Sequence, residues 1–387
     1  MKVTSKPKRV IELCDFKVKY LKAKSNQVEY LTQQFLRCRN PSRLTLAFTG
    51  TYNAVMSPLL DKFGRVHTNL RISVTDRCNI RCFYCMPNEL VQFKPRDEIL
   101  TFEEIVRFVS VVATAGVDKL RLTGGEPLLR AELPELIRQL RSIPGIRDIA
   151  LTTNGILLDK HAGELKAAGL DRLNVSLDTL DEEIFEKIVR RKGLHRVLDG
   201  IRVAKQTGFE QIRLNAIAIK DLTESEIIPL VEFAIEQNMH LRFIEFMPLD
   251  ADQNWTLDDV LTGESIRTII EQQFGELQPA LRIDSSQPAT DFEFADENAP
   301  RAKVGFINSV SEPFCGACNR LRLTAEGGVR NCLFSEEEWN VRSLIRSGTD
   351  QQILDLVRAS LSEKKRGHGR DDLDFLRPSK AMYQIGG

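Results

Sequence analysis

At 387 residues, 42% hydrophobic and 28% charged, the chain can bury a large core, which excludes a disordered, collagen-like or disulfide-stapled protein. Lys and Arg total 54, as do Asp and Glu, so the global basic charge of a nucleic-acid binder is absent. No window reaches the roughly 18 uninterrupted apolar residues of a membrane-spanning helix, and no apolar secretory core follows the N-terminus, so a soluble, cytoplasmic protein is expected.

Residues 1–50 hold 11 Lys/Arg against 3 Asp/Glu, a basic arm on a mildly acidic body. Residues 1–60 are read as an N-terminal extension, either a disordered partner-binding arm or an over-extended start with Met56 near its end. An organelle transit peptide fits poorly, because the arm is Lys-rich and keeps Glu12, Asp15 and Glu29.

From about residue 68 the runs LRISVT (70–75), KLRLT (119–123), IALTT (149–153), RLNVSL (172–177), IRLNAIAI (212–219) and LRFIEF (241–246) predict strands. Amphipathic helices are expected between them. One opens on a capping box of Thr101 and Glu104, spaces Phe102, Ile105, Val106, Val109 and Val112 helically, and stops at Gly116. A second capping box, Thr223 and Glu226, is expected to open the helix ending near Gln237. Six such units imply parallel strands with right-handed crossovers, in a doubly wound or barrel-like sheet. Active groups then gather at the strands' C-terminal ends. After Met247 the pattern loosens, and residues 279–303 read as a linker or long loop. The last 75 residues predict one helix (351–362), a charged run KKRGHGRDD and a Gly386-Gly387 end. The expected division is an extension (1–60), a barrel (61–250) and a C-terminal region (251–387).

Eight cysteines in a reducing compartment point to metal ligands rather than disulfides. Cys14 and Cys38 are strays; Cys78, Cys82 and Cys85 form one triplet and Cys315, Cys318 and Cys332 another. The first lies in TDRCNIRCFYCMP (75–87), with spacing C-x3-C-x2-C. A structural zinc takes four ligands, and none of the five histidines (67, 161, 195, 240, 368) is adjacent in sequence. Three thiolates on a [4Fe-4S] cluster would leave one iron open to a small molecule. A zinc completed by a distant ligand is the alternative.

This loop, with Tyr84 before its last cysteine, resembles that of the radical S-adenosylmethionine enzymes. The resemblance implies that Cys78, Cys82 and Cys85 hold a cluster whose open iron binds S-adenosylmethionine, and that reduction releases a 5′-deoxyadenosyl radical. TGGEPLLR (123–130) looks like the family's GGEP loop: paired glycines let backbone approach a ligand, and carbonyls or Glu126 can accept from an ammonium.

The second triplet, in PFCGACNRLRLTAEGGVRNCLF (313–334), has spacing C-x2-C-x13-C, and a second open-iron cluster or a structural zinc fits it. With Asn319, Arg320, Leu321 and Arg322 after its second thiol, and with the Gly-Gly end, the chain is similar to the GTP 3′,8-cyclase family of molybdenum cofactor biosynthesis over residues 60–387. No G-x4-G-K-[ST] loop is present. Arg71, Lys119, Arg121, Arg213 and Arg242 lie on strands of a sheet whose interior should be apolar, and such buried cations call for an anion, as a triphosphate would be.

The resemblance assigns Arg71, Arg121, Thr152, Arg213, Arg320, Leu321 and Arg322 to GTP. Tyr84, Gly125, Ser176 and Met247 go to S-adenosylmethionine. Arg213 stands where the family often has lysine, which changes donor geometry and keeps the charge. Arg320, Arg322, Gly386 and Gly387 are the expected catalytic set, with the tail inserted beside the arginine pair between the two cluster sites. The implied fold is an incomplete (β/α)6 barrel over about residues 66–247, its open side covered by the C-terminal region. The implied reaction abstracts hydrogen from C3′ of GTP, joins that carbon to C8 and gives (8S)-3′,8-cyclo-7,8-dihydroguanosine 5′-triphosphate. Cyclic pyranopterin monophosphate synthase would follow it. An electron donor is required and a homodimer is possible in the family. Two rival readings are a radical enzyme acting on a peptide and a non-catalytic zinc-binding interaction protein.

Overall fold

The computed structural model describes residues 57–86, 91–249, 254–294, 302–368, 378 and 380–386. The basic arm, Cys14, Cys38 and Gly387 lie outside the described residues.

Several strand runs alternate a polar side chain with an apolar one, as in KLRLT and RLNVS. In a strand this sends the two sets to opposite faces. The chain runs β1 (Asn69–Ser73), α1 (Phe102–Thr114), β2 (Lys119–Thr123), α2 (Leu133–Arg141), β3 (Asp148–Thr153), α3 (Leu158–Ala167), β4 (Arg172–Ser176), α4 (Glu182–Val189), α5 (Leu194–Gln206), β5 (Ile212–Ala218), α6 (Ile227–Glu236) and β6 (His240–Glu245). The C-terminal region continues with α7 (Gly263–Phe274), β7 (Leu277–Pro279), β8 (Thr290–Phe294), β9 (Lys303–Ile307), β10 (Arg320–Leu323), β11 (Gly328–Arg330), β12 (Trp339–Asn340), α8 (Arg342–Ser347), α9 (Asp350–Ser362) and α10 (Met382–Ile385).

All the strands form one sheet in the order β12-β11-β10-β1-β2-β3-β4-β5-β6-β9-β8-β7. From β10 to β9 every pairing is parallel; the outer strands are antiparallel. The C-terminal region therefore adds a parallel strand to both edges of the β1–β6 unit. Among the described residues the sheet ends at β12 and β7 and stays open, an incomplete barrel.

One face carries Leu70, Ile72, Leu120, Leu122, Leu173, Val175 and Leu241, all buried in the apolar core. The helices cover this face. In α1, Ile105, Phe108, Val109 and Val112 are buried, and the capping box closes with Glu104 N donating to Thr101 Oγ1 (3.3 Å) and Thr101 N donating to Glu104 Oε2 (2.8 Å). The other face carries the long polar residues, which corrects the expectation of an apolar interior: the apolar layer lies between sheet and helices, and the concave side is polar.

Two further expectations change. Thr223 and Glu226 form no capping box. The Thr223 hydroxyl accepts from Ile219 N (2.9 Å), and Glu226 accepts from Thr179 Oγ1 (2.7 Å) and Leu180 N (2.8 Å), tying α6 to the loop after β4. The stretch 279–303 is not a plain linker, because residues 290–294 pair with β9 and β9 pairs with β6.

Candidate functional site

Just past β1 the chain turns through Thr75, Asp76 and Arg77 into the first cysteine loop. The loop after β2 lies directly on it: Gly125 N donates to Thr75 O (2.8 Å) and Glu126 N to Arg77 O (2.7 Å). A Cβ on Gly124 would collide with Thr75 O, and one on Gly125 with Arg77 O. The paired glycines thus serve loop-against-loop packing as well as access to a ligand. Glu126 is fully buried, and its carboxylate accepts from Thr153 Oγ1 (2.7 Å), Asn154 N (2.7 Å) and Leu128 N (3.0 Å). It fastens the β2 loop to the β3 loop and is not the free acceptor for an ammonium that the motif suggests; burial pushes it up to about 7 against those hydrogen bonds.

The cysteine loop is held at its other end by α4, with Arg81 N donating to Val189 O (2.9 Å) and Phe83 N to Ile188 O (3.1 Å). Tyr84 is buried, and its hydroxyl donates to Asp178 Oδ2 (2.7 Å). Asn154 Nδ2 donates to Asn79 Oδ1 (2.8 Å) and lies 3.8 Å from Cys78 Sγ. Burial pushes the Cys78 thiol up to about 11 and raises those of Cys82 and Cys85 as well. Without a cation these thiols keep their protons.

Beside β1, Cys315 and Cys318 flank the turn before β10 and Cys332 follows β11. Arg65 Nη1 donates to Cys315 O (2.7 Å). Lys364 is buried with its ammonium on Asn331 O (2.5 Å), Arg320 O (3.1 Å) and Cys318 Sγ (3.7 Å). Burial alone would raise the Cys318 thiol, but the charges of Arg320 and Lys364, with hydrogen bonds from Arg320, draw it down to about 6.

Both triplets line one cavity of about 270 Å³. Its walls also include Tyr84, Gly125, Ser176 and Met247, and Arg71, Arg121, Thr152, Arg242, Arg320 and Arg322. Burial lowers Arg71 and Arg121 well below the usual guanidinium range, with neighbouring arginines adding to it, and draws Arg322 down to about 9. Arg71 Nε, Thr152 Oγ1 and Arg242 Nε are buried without a hydrogen-bond partner among the described residues. Crowded like charges with unpaired donors fit a polyanion. Arg322 Nη1 donates to the carbonyl of Gly386, whose φ is +69°, and a Cβ there would lie 2.9 Å from Thr123 Cγ2.

Three expected substrate residues lie elsewhere. Leu321 is 2% exposed in the apolar core, because alternation along β10 sends residue 321 to the helix side and 320 and 322 to the cavity. Lys119 shares the concave face with Arg121 but sits at the strand's N-terminal end, where its ammonium meets Asp284 (2.5 Å). Arg213 is not among the residues lining the cavity; it lies near Arg172, Arg242 and Asp291, and burial draws it down to about 10. His368 was not expected beside the second triplet, yet it lines the cavity, with Nε2 3.1 Å from Ser309 O. Asp178, Asn154, Asn215 and Lys364 carried no motif; only proximity in the fold marks them.

Among the described residues no three His, Cys, Asp or Glu side chains converge on the position of a single ion. The three thiols of each triplet line the cavity, donors of the kind that hold iron-sulfur clusters. The residues present therefore fit iron-sulfur clusters and a charged small molecule.

A family model described as the radical SAM superfamily matches residues 72–234, and one described as Molybdenum Cofactor Synthesis C matches residues 239–370. A Rhodopirellula baltica protein named GTP 3′,8-cyclase is 52% identical over 85% of this chain and 92% of its own length. Its Corynebacterium glutamicum namesake is 42% identical over 85% and 89%. In Drosophila melanogaster, molybdenum cofactor biosynthesis protein 1 is 42% identical over 81% of this chain and 54% of its own length. Streptococcus suis SuiB, solved with S-adenosylmethionine, superposes with a TM-score of 0.53 at 16% identity, over 76% of this chain and 68% of that one; that likeness is one of fold.

Proposed function

Because the chain belongs to the GTP 3′,8-cyclase family of the radical S-adenosylmethionine superfamily, we propose a division of labour among its own residues. The reaction converts GTP to (8S)-3′,8-cyclo-7,8-dihydroguanosine 5′-triphosphate, the first step of molybdenum cofactor biosynthesis. Cys78, Cys82 and Cys85 hold one [4Fe-4S] cluster and Cys315, Cys318 and Cys332 a second. When bound, the first cluster and S-adenosylmethionine supply a 5′-deoxyadenosyl radical, and the second cluster's open iron supplies a ligand site for the guanine base.

Tyr84, oriented by Asp178, joins Gly125, Ser176 and Met247 in seating S-adenosylmethionine. Arg71, Arg121, Arg242 and Thr152, which line the cavity, hold the triphosphate, and Arg71 Nε, Thr152 Oγ1 and Arg242 Nε have no other partner among the described residues. Lys119 and Arg213 act on it through the field, since other side chains stand nearer. Arg320 and Arg322 hold the ribose and base during ring closure, and the Gly386 carbonyl keeps Arg322 in place. No side chain serves as a general base, because the bond to hydrogen is broken homolytically. The protein works in the cytoplasm, with an external low-potential electron donor, and passes its product to cyclic pyranopterin monophosphate synthase. A homodimer is the proposed assembly, and sedimentation at a dimer's mass checks it.

The observation that carries this division is one cavity lined by both cysteine triplets and by Arg71 and Arg242, each with a buried Nε that has no hydrogen-bond partner among the described residues. Anaerobic reconstitution should give about eight irons per chain, falling to about four in Cys315→Ser, as two four-iron clusters require. Adding dithionite and S-adenosylmethionine should give 5′-deoxyadenosine when GTP is present. Zinc in place of iron overturns the reading, and two clusters without GTP-dependent turnover favour a peptide substrate.

A further inference from the structure

Arg242 is 4% exposed, faces the cavity from β6, and has a buried Nε without a partner among the described residues. Across the sheet from it, the three strands β6, β9 and β8 place Arg242, Gly305 and Asp291 in a single row, Arg242 opposite Gly305 and Gly305 opposite Asp291. Asp291 is two strands away from Arg242, yet its Oδ2 lies 3.4 Å from Arg242 Nη2. The reach is possible because position 305 has no side chain. A Cβ there would collide with Asp291 Oδ1 and lie 3.3 Å from both Arg242 Cγ and His240 Nε2. Gly305 sits inside a strand and has no left-handed φ that would otherwise demand glycine, and a glycine within a strand marks a close approach. The carboxylate is itself braced: Gln287 Nε2 donates to Oδ2 (2.6 Å), and His240 Nε2 lies 3.1 Å from Oδ1. His240, Arg242 and Gln287 hold the Asp291 carboxyl down at about 2 against the effect of burial, and Arg213 is also near it.

We propose that Asp291 is the positioning residue for Arg242, reaching across β9 through the gap at Gly305 to fix the guanidinium that meets the phosphates of GTP. The proposal rests on the assignment of Arg242 to the triphosphate made above. One Nη is committed to Asp291 and the rest of the fork stays free for phosphate oxygens. A long cation held before its ligand arrives loses less freedom on binding, so the preorganisation appears as affinity. The row also places the anchor in the C-terminal region and the phosphate donor in the β1–β6 unit, so the substrate site requires both.

The test measures anaerobic equilibrium binding of GTP and, separately, of S-adenosylmethionine to the reconstituted full-length protein. Arg242→Gln and Asp291→Asn should each raise the dissociation constant for GTP about tenfold, the double variant should be no weaker than Arg242→Gln alone, and Gly305→Ala should reproduce Asp291→Asn. Binding of S-adenosylmethionine should be unchanged throughout, which a general loss of structure would not allow. If Arg242→Gln weakens GTP and Asp291→Asn does not, the positioning role fails and the phosphate assignment stands. Additive effects in the double variant, or loss of S-adenosylmethionine binding in Asp291→Asn, also overturn it. If Arg242→Gln binds GTP normally, the phosphate assignment is wrong and the proposal falls with it.

Discussion

His67 is buried with Nδ1 on Arg65 O (2.9 Å), and burial, with the charge of Lys364, lowers its pKa to about 4. The folded state therefore binds this proton less readily than the unfolded chain, and stability is lost as pH falls from about 6.5 to 4. At about 1.4 kcal/mol per unit the loss reaches about 3 kcal/mol at the acid end. Melting temperatures of His67→Gln should fall less steeply across that window than those of the wild type; parallel curves would show that His67 does not titrate so. Gly386 makes a second point at this scale. Any side chain there meets Thr123 and Ser73 in a left-handed backbone. Gly386→Ala should lower product formation by about tenfold or more at an unchanged melting temperature, since the tail's placement at Arg322 affects the site rather than the core. The glycine pair was legible as an end of chain, but its contact with Arg322 was not, because 64 residues separate the partners.

Within the elements, alternation separates residues that a motif groups together. In β10, Arg320 and Arg322 face the cavity and Leu321 faces the helices. Leu321→Ala should cost about 2–5 kcal/mol by denaturant unfolding, as large-to-small core changes do, while GTP affinity in the folded fraction stays at the wild-type value. The same four-residue capping pattern also has two fates. At Thr101 and Glu104 the box forms on one carboxylate oxygen while Arg346 takes the other; Thr101→Ala should lower stability by about 1 kcal/mol in the same unfolding measurement. At Thr223 and Glu226 the carboxylate is taken by Thr179 and Leu180, a tertiary partner that sequence spacing does not reveal.

At the scale of the whole molecule, the β1–β6 unit has two open edges, and the C-terminal region pairs with both through β9 and β10. A chain stopped after residue 250 would expose β1 and β6 as unpaired parallel strands, and such edges associate. That truncation should elute as aggregate in size-exclusion chromatography, where the full chain gives a defined species. The two cysteine triplets lie more than 200 residues apart in sequence, and it is this double-edged pairing that brings them to one cavity.

The six strands, the first helix cap and the thiol spacings were determined locally: alternation, a Thr with its Glu three residues on, and cysteines within one loop act over a few residues and are visible in the chain itself. The alternation in KLRLT and RLNVS was equally visible, but the interior was expected to be apolar, as in a parallel sheet covered on both faces, and only the fold showed the concave side to be polar. Only the tertiary structure decided which cations share the cavity, because Lys119 and Arg121 lie on the same face of one strand yet at different depths, one meeting Asp284 and the other left to the site. It also decided that Asp291 reaches Arg242. That contact needs two long-range pairings and a missing Cβ between them, and no local pattern encodes a gap that exists only when three strands stand side by side.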